Sequence, residues 1–266
     1  MTALSIQRNG SVLVAQFNRE NPLNPLNREL EQDIVETCRW AQNEPAVRAI
    51  VLTGGVDRSF GVGDDLNEAR KIKTAADVQH LIDRTLGLYV ALLSVTKPTV
   101  AGIDGYAIGA GLQIALCCDW RVGTPTAKAL GWELKQGLAC PIGAYMLCKC
   151  FGRAAMSNLV FGCEVVPPEW AVEHKFFNEV AERQDVVERA IWRAGVLGNY
   201  PEIGYRRTKE SVNRSFIRGL RELAPMANSI LLDGFRSNSA QAHFARIGND
   251  SGRNQNEMLS AHMDPR

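Results

Sequence analysis

A chain of 266 residues, with 45% hydrophobic and 22% charged residues, can build a self-sufficient core in one large domain without disulfide or metal staples. Its 30 Lys and Arg balance 29 Asp and Glu, leaving a formal charge of +1. No basic surplus points to a nucleic-acid surface, so no nucleic-acid partner is expected.

The opening stretch, MTALSIQRNGSVLVAQF, lacks a basic start followed by a long apolar run, so it does not read as a signal peptide. No window approaches the roughly 18 uninterrupted apolar residues that suggest a membrane span. The seven cysteines are odd in number and lack framework spacing, and the four histidines are scattered. No metal site is expected, and a reduced, cytoplasmic compartment fits this usage.

In chain order, residues 4–18 predict a hairpin, with Asn9-Gly10 between two β-rich runs. Asn27 to Gln42 predicts a helix with Leu30, Ile34, Val35, Cys38 and Ala41 on one face. AVRAIVLTGG reads as a fully buried strand of a parallel sheet. RSFGVGDDL, residues 58–66, is a glycine-containing loop, and Asn67 to Ser94 is mostly helical. Lys97 to Ile103 predicts another buried strand, residues 112–118 a helix start, and Asp119 to Val122 a return to strand. Alternating strands and helices predict an α/β fold. From about Arg183 the texture turns helical, and the last residues, GNDSGRNQNEMLSAHMDPR, are polar and expected to be mobile. The expected division is a core over residues 1–195 and a helical region over 196–266.

Three segments carry chemistry. GYAIGAGLQ, Gly105 to Gln113, places glycines ahead of a helix, where backbone N–H groups face outward. Gly109-Ala110-Gly111 lacks the third glycine of a dinucleotide fingerprint, and no GKS or GKT makes it a phosphate loop. The remaining reading is an oxyanion hole, which needs two backbone donors. Ser59 to Leu66 offers the second, because its glycines permit a tight turn that leaves a peptide N–H uncovered; an ordinary strand-to-helix turn is the alternative. Gly131 to Gly137 carries Glu133 among apolar residues and glycines, where burial would raise its pKa and suit it to proton transfer. Asp119 reads as a turn-ordering residue, and Cys117 and Cys118 as core.

Taken together, SFGVGDDL, KPTVAGIDGYAIGAGLQIALCCDWRV and the Glu of GWELKQGL resemble the crotonase (enoyl-CoA hydratase/isomerase) superfamily over roughly residues 4–245. The resemblance implies an α/β fold, a crotonase-like spiral of repeated ββα units with a helical C-terminal trimerisation region. It implies an acyl-CoA substrate, malonyl-CoA or enoyl-CoA, no permanently bound cofactor, no membrane partner, and a homotrimer or dimer of trimers. The thioester oxygen would lie between the N–H groups of Asp64 and Ala110, with Gly63 and Gly109 shaping the two loops. The coenzyme A chain would run along Leu26 and Val62, Gly63, Asp65, Leu66 and Asn67, with Asp65 also supporting the loop. Trp132 would wall the acyl pocket.

Family hydratases resemble one another in using two glutamates, at the positions of Gln113 and Glu133. Glutamine does not ionise, so efficient hydration is disfavoured. RSFGVGDDLNEA, ELKQGLACPIGA and NYPEIGYRRTKESVNRSFI resemble the carboxymethylproline synthases of this superfamily, which also carry Gln and Glu at these positions. That likeness implies malonyl-CoA decarboxylation, carbon–carbon bond formation with an imino acid such as pyrroline-5-carboxylate, and thioester hydrolysis. Leu81 and Leu231 stand where those synthases have Trp and His, which suggests a more apolar acceptor. The alternatives are an isomerase or hydratase using Glu133 alone, and a catalytically silent binding subunit. Asp64 departs from the small or apolar residue usual in the family, and its carboxylate is expected to point away from the oxyanion or to stay protonated.

Overall fold

The computed structural model describes residues 2–166, 168–237, 240, 242 and 243. The polar C-terminal tail therefore lies outside the described residues. The chain begins with β1 (Leu4–Asn9) and β2 (Val12–Phe17), an antiparallel hairpin in which Asn9 faces Val12 across Gly10 at φ 59°. Glycine adopts that left-handed turn without a Cβ clash.

Helix α1 (Arg28–Asn43) starts where Asn27 accepts the Leu30 N–H, a cap that contributes about 1 kcal/mol. Its Leu30, Ile34, Cys38 and Ala41 are buried. There follow β3 (Ala49–Thr53), the short α2 (Leu66–Ala69) and α3 (Ala75–Ser94). The expected helix from Asn67 is thus two, separated near Thr74, whose side chain and that of Asp77 form a reciprocal cap opening α3.

Next come β4 (Thr99–Ile103), β5 (Tyr106–Ile108), α4 (Ala110–Cys117), β6 (Trp120–Gly123) and β7 (Lys128–Leu130). The chain closes with α5 (Pro141–Met156), α6 (Pro168–Glu173), β8 (Glu179–Val180), α7 (Val186–Gly198) and α8 (Glu202–Arg236). Helix α7 runs across residue 195.

The main sheet has the order β1-β2-β3-β4-β6-β8, parallel beyond the first hairpin. A second, two-stranded sheet pairs β5 with β7. It is extended by single bridges, Gly61 to Ala107 on one side and Val166 to Ala129 on the other. Each long strand is therefore followed by a short one. β3 leads to the stretch at Gly61, β4 to β5, and β6 to β7, and the short ones pair in that order. This repetition is the expected ββα spiral. The short strands are not legible from periodicity, because three residues are too few to show alternation.

Alternate residues of β3 face opposite sides. Ile50 and Leu52 join the main core with α1 and α3, while Ala49 and Val51 pack against Ala190, Ala194 and Leu197 of α7. Helix α8 is tied back by a buried anchor. Lys209 Nζ lies 2.6 Å from Asp119 and also donates to the Lys97 carbonyl at 2.9 Å. Asp119 accepts the Thr99 N–H at 2.8 Å and the Tyr205 hydroxyl at 3.0 Å as well. Asp119 was expected to order a turn; it also joins β4, β6 and α8, which the local sequence does not reveal because Lys209 is 90 residues away.

Removing one partner of a buried ion pair strands the other charge. Asp119→Ala should lower stability by about 3 kcal/mol in urea unfolding. Adding Lys209→Met should recover part of that loss. A double variant less stable than Asp119→Ala would show that the pair does not behave as a coupled anchor.

Candidate active site

The site forms where three glycine-bearing segments meet. Gly61 and Gly111 touch so closely that a Cβ at 111 would stand 2.3 Å from the Gly61 carbonyl oxygen. A Cβ at Gly63, itself at φ 90°, would lie 4.0 Å from the Ala110 nitrogen. One at Gly109 would lie 3.7 Å from the Gly63 Cα and 3.5 Å from Oε1 of Glu133. The structure therefore brings Gly63, Gly109, Ala110 and Glu133 together.

The backbone orients two N–H groups here. The Leu26 N–H donates to the Gly63 carbonyl at 2.8 Å and the Asp65 N–H donates to the Leu26 carbonyl at 2.7 Å. These bonds bracket Asp64 in a parallel bridge, so the peptide groups of Asp64 itself face away from Leu26. Ala110 is the first residue of α4, preceded by Gly109 at φ 52°, and the first-turn N–H groups of a helix have no partner within it. Both N–H groups are placed by backbone geometry and not by the side chain at position 64.

Glu133 opens a tight turn of four residues, Glu133–Gln136, closed by Gly137 at φ 76°. The Leu138 N–H donates back to the Glu133 carbonyl at 2.9 Å. Its carboxylate accepts the Gln113 Nε2–H at 3.0 Å on Oε1, while Oε2 is shut away from solvent without a well-formed hydrogen bond. Burial pushes the Glu133 pKa up; its own backbone N–H, the Cys140 thiol, the Trp132 N–H and the Gln113 amide pull in the opposite direction. Gln113 is buried in α4, and its Oε1 accepts the Tyr89 hydroxyl at 2.8 Å. Gly143 keeps room for this group, since a Cβ there would sit 2.9 Å from Gln113 Nε2 and 2.6 Å from Cys140 Sγ.

The Asp64 side chain is reached by solvent yet crowded by protein, as on a cleft wall. Desolvation raises its pKa to about 6; Arg84 opposes the rise, and Glu133, Glu68 and Asp65 add to it. Beneath it Glu31 is buried and ion-paired with Arg84, which also reaches Glu68 at 3.1 Å. Burial, then the Asp64 charge, push Glu31 up to about 8. Asp65 has a supporting place. It accepts the Asn67 N–H to cap α2 and pairs with Arg19 at 2.6 Å.

The Leu26 side chain is fully buried, with its Cδ1 3.1 Å from where a Cβ on Gly61 would stand, and its backbone bridges Asp64. Val62 and Leu66 are half-buried and Asn67 is exposed. Trp132 is buried beside Ile108 and Leu130 with Val62 against them, and Lys135 Nζ lies 5.4 Å from its ring centroid. Leu81 on α3 and Leu231 on α8 are half-buried against the main core. Their helices lie side by side and are joined by Asn228 Nδ2 donating to Gln79 Oε1 at 2.7 Å. Sequence reasoning missed Tyr89, Cys140 and the Glu31–Arg84 pair. The only signal for Tyr89 was a tyrosine in an apolar helical run, whose hydroxyl requires a partner. Among the described residues no group of His, Cys, Asp and Glu is placed to hold a metal ion, and no helix is long and apolar enough to cross a membrane.

Comparison with known proteins agrees with this architecture. The family described as enoyl-CoA hydratase/isomerase matches residues 7–244. Carboxymethylproline synthase from Pectobacterium carotovorum subsp. carotovorum is 34% identical, covering 91% of this chain and 96% of that protein. The short-chain-enoyl-CoA hydratase of Clostridium acetobutylicum is 26% identical, over 79% of this chain and 80% of its own. Among solved structures, ThnE from S. clavuligerus matches with a TM-score of 0.75 and 30% identity, over 85% of this chain and 99% of that one. An enoyl-CoA hydratase/isomerase from Xanthobacter autotrophicus Py2 matches with a TM-score of 0.86 and 21% identity, over 99% of both chains.

A carboxyl group whose folded pKa lies above its unfolded value binds more protons when folded, so its ionisation erodes stability as pH rises between the two values. For Asp64 that window runs from 3.8 to about 6. Asp64→Asn should therefore raise the melting temperature relative to the parent more at pH 8 than at pH 4. Equal differences at both pH values would show that Asp64 ionises without strain.

Proposed function

The chain belongs to the enoyl-CoA hydratase/isomerase (crotonase) family, and within it we propose a carboxymethylproline synthase-like reaction on malonyl-CoA. The observation that carries this reading is the Gln113–Glu133 pair: one carboxylate bonded to one amide at 3.0 Å, beside the N-terminus of α4. A hydratase with two carboxylates needs an ionisable group at both positions, and an amide is not one. Decarboxylation needs no base. The bond between the malonyl carboxyl carbon and the methylene breaks, CO2 leaves, and the electron pair passes to the thioester oxygen.

In this proposal the Asp64 and Ala110 N–H groups hold that oxygen, stabilising charge that develops only during reaction. The enolate carbon then attacks the electrophilic carbon of an imino-acid-type acceptor, and the acceptor nitrogen takes up the displaced electron pair. Glu133, with its pKa raised by burial, activates the water that hydrolyses the thioester and releases coenzyme A. Leu81 and Leu231 make the acceptor pocket more apolar than Trp and His would. Gly63, Gly109 and Trp132 shape the acyl end, and the loop from Val62 to Asn67 borders coenzyme A. The assembly in this reading is a homotrimer or dimer of trimers, supported by the exposed Ile203, Val212 and Met226 of α8.

Incubation with malonyl-CoA should yield acetyl-CoA, and addition of pyrroline-5-carboxylate a carboxymethylated imino-acid product, both followed by mass spectrometry. Intact malonyl-CoA together with turnover of a 3-enoyl-CoA would replace this reading with an isomerase. Ala110→Pro removes the N–H at a helix position that tolerates proline. It should slow decarboxylation about 100-fold or more while the melting temperature changes little. Glu133→Gln should spare decarboxylation and slow hydrolysis by about 10²–10⁴-fold. Equal loss of both steps would remove the assigned division of roles.

A further inference from the structure

Tyr89 lies on α3 among Val78, Ile82, Leu86 and Leu93, and is fully buried. Phenylalanine would fill that space equally well, so the hydroxyl calls for a separate reason. It donates to Gln113 Oε1 at 2.8 Å, and the other end of the same amide donates from Nε2 to Glu133 Oε1 at 3.0 Å. These are the side-chain hydrogen bonds of Gln113 among the described residues.

The two bonds fix each other's polarity. An ionised carboxylate only accepts, so the amide NH2 must face Glu133. The amide oxygen then faces Tyr89, and the tyrosine hydroxyl must donate. Half a turn of the amide would set its oxygen against the carboxylate and its NH2 against the phenol. Packing alone does not prevent that turn, because the two ends of an amide have nearly the same shape. The carboxylate opposes it, because the turned amide would set oxygen against oxygen; the Tyr89 hydroxyl, which can donate or accept, anchors the amide oxygen in the orientation so chosen.

We infer that Tyr89 is a positioning residue of the active site: its hydroxyl anchors the Gln113 amide oxygen and so steadies the amide that donates to Glu133. The kinetic consequence rests on the enolate reading above, whereas the structural consequence does not. Glu133 is also approached by its own backbone N–H, the Cys140 thiol and the Trp132 N–H; among these donors the Gln113 amide is the one whose orientation depends on a second side chain, Tyr89.

The test uses full-length protein labelled with 15N-glutamine. The side-chain NH2 of Gln113 is assigned by its loss in Gln113→Leu. In the parent it should exchange slowly with solvent; in Tyr89→Phe, exchange should be faster by about tenfold. Unchanged exchange in folded Tyr89→Phe would overturn the proposal. The Tyr89 hydroxyl proton of the parent gives a readout that does not depend on Tyr89→Phe folding: bonded to the amide oxygen, it should resonate downfield and move in Gln113→Leu, and a resonance unmoved in folded Gln113→Leu would overturn the proposal.

In kinetics, Tyr89→Phe should lower kcat for release of coenzyme A by about 3- to 10-fold, the range for one neutral hydrogen bond, with KM within about twofold. Placed on Gln113→Leu, it should cause no further loss, and multiplying losses would overturn the relay. If the parent does not consume malonyl-CoA, the enolate reading fails while the amide-exchange result still decides the role of Tyr89.

Discussion

The close passage of the Gly61 backbone against Gly111 is the constraint on which the site depends. No side chain fits there: a Cβ at 111 would lie 2.3 Å from a carbonyl oxygen. That contact lets the loop at Gly61–Asp64 run beside β5 and lie against the first turn of α4. Without it, the Asp64 and Ala110 peptide groups would belong to separate layers. The bridge of Asp64 to Leu26 then turns the Asp64 peptide outward, and the helix start leaves the Ala110 N–H uncommitted. Backbone geometry thus makes the polar centre, and side chains tune it.

The tuning is mostly a contest between burial and neighbouring charge. Glu31, Asp64 and Glu133 are all pushed toward their neutral forms by desolvation, and neighbouring acids strengthen the effect at Glu31 and Asp64. Arg84 offsets part of this, held between Glu31 and Glu68. A carboxylate kept reluctant to ionise is a better proton carrier near neutrality than a solvated one. Asp64, pushed up to about 6, still ionises near neutral pH, and the nearby Arg84 charge offsets it in part.

Away from the site, the fold is held by features of different range. The hairpin at Asn9-Gly10 and the helix that Asn27 caps act over a few residues, and the sequence foretold both elements, though not the cap itself. The resemblance to the crotonase superfamily conveyed the spiral and the identity of the three segments, because those motifs combine glycine positions with specific neighbours. The Asp119–Lys209 anchor was not legible. Its partners are 90 residues apart, and Lys209 sits in a helix whose local composition resembles any charged surface.

The chain itself determined which groups are available: glycines at 61, 63, 109 and 111, one glutamate at 133, and a glutamine at 113 that withholds a second ionisable carboxylate. These are matters of covalent identity, and no folding changes them. The tertiary structure alone decided how the groups act. It set the raised pKa values, the direction of the Gln113 amide and the pairing of that amide with Tyr89. Desolvation and hydrogen bonding depend on distance in space, and Tyr89, Gln113 and Glu133 come within bonding distance only once α3, α4 and the turn after β7 have packed together.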